Sequence, residues 1–143
     1  MSKNLNIWIE GTIIAALATV LSLVPFNIGP SFSVTVGAPV MMLYCLRRGL
    51  IPGFFASFLW GVLHILIGTA YILTPLQGFI EYFIAFGFTG LAGLFTQKVQ
   101  QAIADQNQKA LVWQVTLGTI VGTVGRYFWH TIAGYYFWGS YAP

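Results

Sequence analysis

The chain alternates long apolar stretches with short breaks, and the apolar runs fall at about 7–26, 34–46, 50–68, 76–95 and 112–137. A helix needs about 20 apolar residues to cross a bilayer, somewhat fewer where neighbours bury it. The pattern therefore predicts five helical spans, the second of them short. The breaks hold the residues that end helices. Pro25, Gly29 and Pro30 make "PFNIGPSFS" a loop,. "CLRRGLIPGF" reads as a tight turn, with Pro52 near the start of the third helix, where a missing N–H costs little,. "TAYILTPLQ" is the next loop, and the polar segment "TQKVQQAIADQNQKA" is the longest soluble part, with a helical turn expected in it. No repeat of period 20–50 is visible.

Composition removes the soluble alternatives. Hydrophobic residues make up 57% of the 143 and charged residues only 6%, against about 25% charged in soluble domains. The expectation is an all-α membrane protein, a polytopic transmembrane helix bundle forming a single domain over residues 1–143. The first apolar run is too long for a signal peptide, and no small-x-small cleavage site follows it. A lone cysteine, Cys45, excludes an internal disulfide framework,. The excess of six Lys and Arg over three Asp and Glu matters through its placement. Lys3, Arg47, Arg48, Lys98 and Lys109 share one side if the N-terminus is cytoplasmic, and the outer loops then hold no cation,. Nothing in the chain reads as a nucleic-acid site.

With that orientation the polar residues of the spans converge. Glu81 and Tyr82 sit in the outer half of the fourth span, a turn or two below the surface,. The fifth span runs the other way, so Arg126 lies at mid-depth or higher, His130 one turn above it on the same face, and Trp138 at the outer mouth,. Tyr71 hangs from the loop leading into the fourth span. One acid, one cation, one imidazole and several aromatics thus face a common outward region. Each also has a plainer role: Glu81 and Arg126 as a pair joining two helices, His130 as a core histidine, the tyrosines as an interfacial belt, Trp60 and His64 as packing residues. No catalytic set, metal-ligand set or phosphate loop is present, so binding is favoured over chemistry and no cofactor is expected. Aromatic faces with one carboxylate suit a flat heteroaromatic cation bearing an exocyclic amine.

The segments "EGTIIAALATVLSLVP", "LRRGL", "FLWGVL", "AYILTPLQGFIEY", "GLAGLF" and "RYFWHTIAGYYFWGSYAP" together resemble the thiamine-specific substrate-binding subunit of energy-coupling-factor vitamin transporters. The resemblance runs from about residue 10 to the end. It implies a thiamine site in an outward-facing cavity under the first outer loop. It implies that Glu81 contacts the aminopyrimidine, that His130 and Trp138 flank the ligand rings, and that Tyr71 and Tyr82 line the cavity. Arg126 takes the place of a basic residue, commonly Lys, at the floor, and Phe32 stands near the point where the family can supply a Trp. The resemblance further implies partners: a shared transmembrane scaffold, docked through Thr12 and Ala16 on the first helix, and two cytoplasmic ATPases, all in a prokaryotic plasma membrane. The family continues past the position of Pro143 into a sixth helix carrying a Tyr and an Asn of the pocket, so five spans with one wall lacking, and weakened binding, are expected here. Recognition of another vitamin or a thiamine precursor, proton-coupled transport through Glu81 and His130, and a structural role without ligand remain open at this point.

Overall fold

The computed structural model of the chain describes residues 3–24, 35–70 and 72–139. They form five helices: α1 (Lys3–Ser22), α2 (Ala38–Arg48), α3 (Leu50–Leu66), α4 (Pro75–Ala104) and α5 (Gln108–Ala133). A π-helical turn, Gly134–Trp138, extends α5. The all-α bundle expected from the apolar runs is therefore observed, with several ends shifted for local reasons. α1 stops at Ser22, whose hydroxyl donates to the Ala18 carbonyl at 2.6 Å, short of Pro25, which disfavours helical backbone just before it. α2 begins at Ala38 rather than 34, with Pro39 in its first turn, where a proline is tolerated. It ends where Gly49 adopts φ +106°, a backbone region that only glycine enters cheaply. A single residue thus separates α2 from α3.

The largest difference lies in α4. The polar segment is helical as expected, and its helix over Thr96–Ala104 runs on from the fourth apolar run without a break. Nothing between Thr96 and Ala104 breaks a helix, and Val99 and Ala102 are buried. α4 is not uniform: it widens to a π-helix over Ile80–Ile84 and tightens to a 3₁₀-helix over Thr89–Phe95. The widened turn carries Glu81 and Tyr82, and such turns recur at functional sites.

The bundle is polar-poor outside and small-residue-rich inside. Ile13 is 60% exposed and Val124 62%, whereas Ala15 and Ala18 are fully buried. Lipid, not water, suits such a surface, and small buried residues let helices approach where lipid supplies no hydrophobic drive. Two helices, Asn4–Ser22 and Pro75–Ala104, are long and apolar enough to cross a membrane by themselves, and Leu50–Leu66 is apolar but shorter. The eleven-residue α2 packs against α1, α3 and α4. It buries Met41, Met42, Tyr44, Cys45 and Leu46, as a core helix does.

Charges gather at one end. Arg48 Nε donates to Glu10 Oε2 at 2.9 Å, its Nη2 contacts the same oxygen, and Arg47 lies 3.4 Å from Oε1. Thr96 donates to the Cys45 carbonyl at 3.0 Å and Gln100 to the Arg47 carbonyl at 3.3 Å. These bonds bring the polar half of α4 to the same end as the Arg47–Arg48 corner. Glu81 and His130 belong to the other.

Candidate functional site

The site starts at the N-terminus of α4. Thr74 caps the helix by accepting from the Gln77 N–H at 3.1 Å, and Pro75 follows at the first helical position, both standard helix-start chemistry. Gln77 is thereby turned inward and is fully buried. Its Oε1 accepts from the Leu73 N–H at 2.7 Å, and its Nε2 donates to Glu81 Oε2. The other carboxylate oxygen, Oε1, lies 3.6 Å from His130 Nδ1.

His130 links α4 to the basic group. Arg126 Nε donates to His130 Nε2 at 3.4 Å. A guanidinium has donors only, so Nε2 must accept, which assigns the ring proton to Nδ1, the nitrogen facing Glu81. The described contacts thus connect Glu81 to Arg126 through His130. Arg126 is buried, 7% exposed, and its guanidinium carbon sits 4.5 Å from the Phe86 ring centroid and 4.9 Å from that of Trp60. Two aromatic faces therefore hold the cation away from water. Tyr82 stacks on Phe86 at 5.8 Å with 23° between the planes.

α3 supplies the remaining wall. Thr69 Oγ1 donates to the His64 carbonyl at 3.2 Å and so accepts from His64 Nδ1–H at 2.8 Å. His64 Nε2 is then a bare acceptor. It and the Trp60 Nε1 donor are buried without a partner among the described residues, an unusual pairing of unspent polar groups in an apolar wall. Next to this cluster an apolar groove of about 620 Å³ runs between α2 and α5, past Pro39, Met42, Leu43, Thr119 and Thr123, and ends at Arg126.

Of the residues singled out in the sequence, Glu81, Tyr82, Arg126 and His130 come together. Tyr71 and Phe32 lie outside the described residues, as does the side chain of Trp138, whose backbone closes the π-helical turn after α5. Thr12 and Ala16 lie elsewhere, on the exposed face of α1. Thr12 satisfies its hydroxyl on the Trp8 carbonyl at 2.9 Å. Gly118 and Gly122 are buried instead, against Leu46 and against Met42 and Thr89. The small pair on α5 builds the bundle and the pair on α1 faces outward. Sequence reasoning missed Gln77, and it read Trp60 and His64 as packing alone. The available signal for Gln77 was a polar residue four positions before Glu81 on one helical face.

Polar side chains set among aromatic rings at one end of an apolar-surfaced helical bundle mark a candidate site in a membrane protein. Comparison with known proteins specifies the class. The sequence model described as "Thiamine transporter protein (Thia_YuaJ)" matches residues 8–143, and the chain belongs to this family, one of transport rather than catalysis. It is 39% identical to "Thiamine transporter ThiT" of Lacticaseibacillus paracasei over 145 residues, covering 99% of this chain and 72% of the relative. It is 30% identical to the Bacillus subtilis protein of the same name, covering 99% and 76%. The solved structure of ThiT from Listeria monocytogenes superimposes with a TM-score of 0.94 at 44% identity, covering 99% of this chain and 78% of that one.

Proposed function

We propose that the chain is the thiamine-binding membrane subunit of an ATP-driven, energy-coupling-factor importer of a prokaryotic plasma membrane. Its ligand is held at the outer end by Glu81, Tyr82, His130 and Arg126, and the family resemblance adds Tyr71, Trp138 and Phe32 to its contacts. The observation that carries this reading is the order of contacts Glu81, His130, Arg126, with a hydrogen bond from Arg126 to His130, within the walls of Trp60, Phe86 and Tyr82. Thiamine is a cation with an aminopyrimidine. Its exocyclic amine donates to the Glu81 carboxylate, and its rings lie against aromatic faces that favour positive charge. Arg126 keeps its charge, but the electron-rich faces of two rings and the His130 acceptor offset part of its field, which lowers its repulsion of a second cation. The cation-rich end faces the cytoplasm, in keeping with the positive-inside rule.

Thiamine titrated into the detergent-purified chain quenches its tryptophan fluorescence saturably. An unchanged signal up to millimolar thiamine refutes this assignment. Energy is supplied by partners: a membrane scaffold and two cytoplasmic ATPases. Scaffold docking uses the outward face of α1, where Thr12 and Ala16 permit close helix approach. A chain with Leu at both positions keeps its thiamine affinity within about twofold and no longer co-purifies with the scaffold, because two added side chains hold the helices apart. Retained co-purification removes Thr12 and Ala16 from the interface.

A further inference from the structure

Gln77 is a neutral amide buried completely at a depth where an unsatisfied amide costs several kcal/mol. Its two ends are satisfied by different parts of the molecule. The acceptor end holds the backbone of the connection before α4 through the Leu73 N–H at 2.7 Å, and the donor end holds Glu81 Oε2. Its own backbone N–H is fixed by Thr74 Oγ1 at 3.1 Å. The Oε1 of Gln77 reaches the amide four residues earlier only while residues 72–74 fold back over the start of the helix. Glu81 lies one turn further along the same face, at the entry to the widened turn Ile80–Ile84. The connection and the carboxylate are therefore joined by one side chain.

We infer that Gln77 is a positioning residue for ligand binding: it fixes the pose of the Glu81 carboxylate and couples that pose to the seating of Leu73 and Thr74 at the start of α4. The inference rests on the thiamine-binding reading above. A ligand amine that takes the His130-facing oxygen of Glu81 leaves Oε2 on Gln77, so the seated connection and the bound ligand stabilise one another. Such coupling is reciprocal. Ligand binding protects the connection by the same factor by which the seated connection raises affinity.

Hydrogen exchange at the Leu73 amide, read beside thiamine affinity, tests this. In the unmodified chain Leu73 exchanges slowly, and more slowly still with thiamine. Gln77→Met keeps the volume and removes both bonds. Affinity falls by roughly ten-fold or more, the scale of one hydrogen bond to a charged group. Leu73 then exchanges freely with or without thiamine, while α2 and α3 stay protected. Glu81→Gln gives the complementary pattern: affinity is lost, yet Leu73 stays protected, since a carboxamide oxygen still accepts from Gln77. Wild-type affinity in Gln77→Met, or lost affinity with Leu73 still protected and still responsive, overturns the inference. Should Gln77→Met not fold, Gln77→Glu decides the same point. It retains the acceptor for Leu73 and sets a second carboxyl against Glu81, which either repels that group or shares its proton; protected Leu73 with lowered affinity is expected, and unchanged affinity overturns the inference. Failure of the unmodified chain to bind thiamine sinks the functional reading instead, and Leu73 exchange in the variants then still reports whether Gln77 seats the connection.

Discussion

Glu81→Gln lowers thiamine affinity by roughly ten- to a hundred-fold, corresponding to about 1.5–3 kcal/mol for one charge-assisted hydrogen bond, while leaving the amount of folded, monodisperse protein nearly unchanged. The asymmetry follows from the surroundings of the carboxylate. On one side Gln77 donates to Oε2, and a carboxamide oxygen accepts that bond equally well. On the other, His130 Nδ1 lies 3.6 Å from Oε1, beyond hydrogen-bond length, so the NH2 that replaces this oxygen forfeits only a long electrostatic contact and the imidazole turns slightly away from it. The ligand loses more, because its amine and its fixed positive charge both favour an ionised partner. Isothermal titration gives the affinity and a detergent-phase melting curve gives the stability. If Glu81 serves chiefly to join α4 to α5, the order reverses: the melting midpoint drops markedly and residual binding stays strong. That outcome returns Glu81 and Arg126 to a structural role.

Much of this architecture can be read from the apolar runs, because lipid forces every backbone polar group into a helix and makes span length a direct signal. The position of the charged residues was equally legible. Lys and Arg mark one end, and Glu81 and His130 stand out because an ionisable residue inside a span must have a reason to be there. What stayed hidden depends on packing or on departures from a regular helix. Gln77 sits beside Thr74 and Pro75 and so looks like part of a loop, although the cap those residues form is what turns it inward. The π-helical turns at Ile80–Ile84 and Gly134–Trp138 change the facing of Glu81 and of Gly134 to Phe137, and a 3.6-residue periodicity has no means of announcing them. Trp60 and His64 do pack. Their second role, enclosing Arg126 with Phe86, arises only when α3, α4 and α5 meet. The alternative of a Glu81–Arg126 pair joining two helices gains a third member: His130 contacts both groups, one helical turn above Arg126, a link that sequence spacing alone does not settle.

Gly61→Val breaks the bundle at the junction of α3 and α4, and the effect on stability is the largest expected of any single substitution considered. A Cβ at Gly61 falls onto the carbonyl oxygen of Tyr82, with the Cβ of Phe86 close behind. The obstacle is backbone of the π-helical turn, so rotamer changes give no relief and the two helices must separate. Overpacking a well-filled interior costs about 1–3 kcal/mol when side chains can adjust, and a backbone collision lies at or above the top of that range. The displaced turn also carries Glu81, so thiamine binding fails together with stability, unlike in Glu81→Gln. Gly134→Ala is the control. It is helical, with φ −59° and ψ −45°, and a Cβ there meets open space, so alanine gains up to about 1 kcal/mol of helix propensity. Thermal unfolding in detergent, followed by size-exclusion fluorescence, therefore separates the two glycines in opposite directions. A Gly61→Val protein that melts with the wild type shows that α3 and α4 are not held backbone to backbone, and the geometry that aims Glu81 into the site must then have another source.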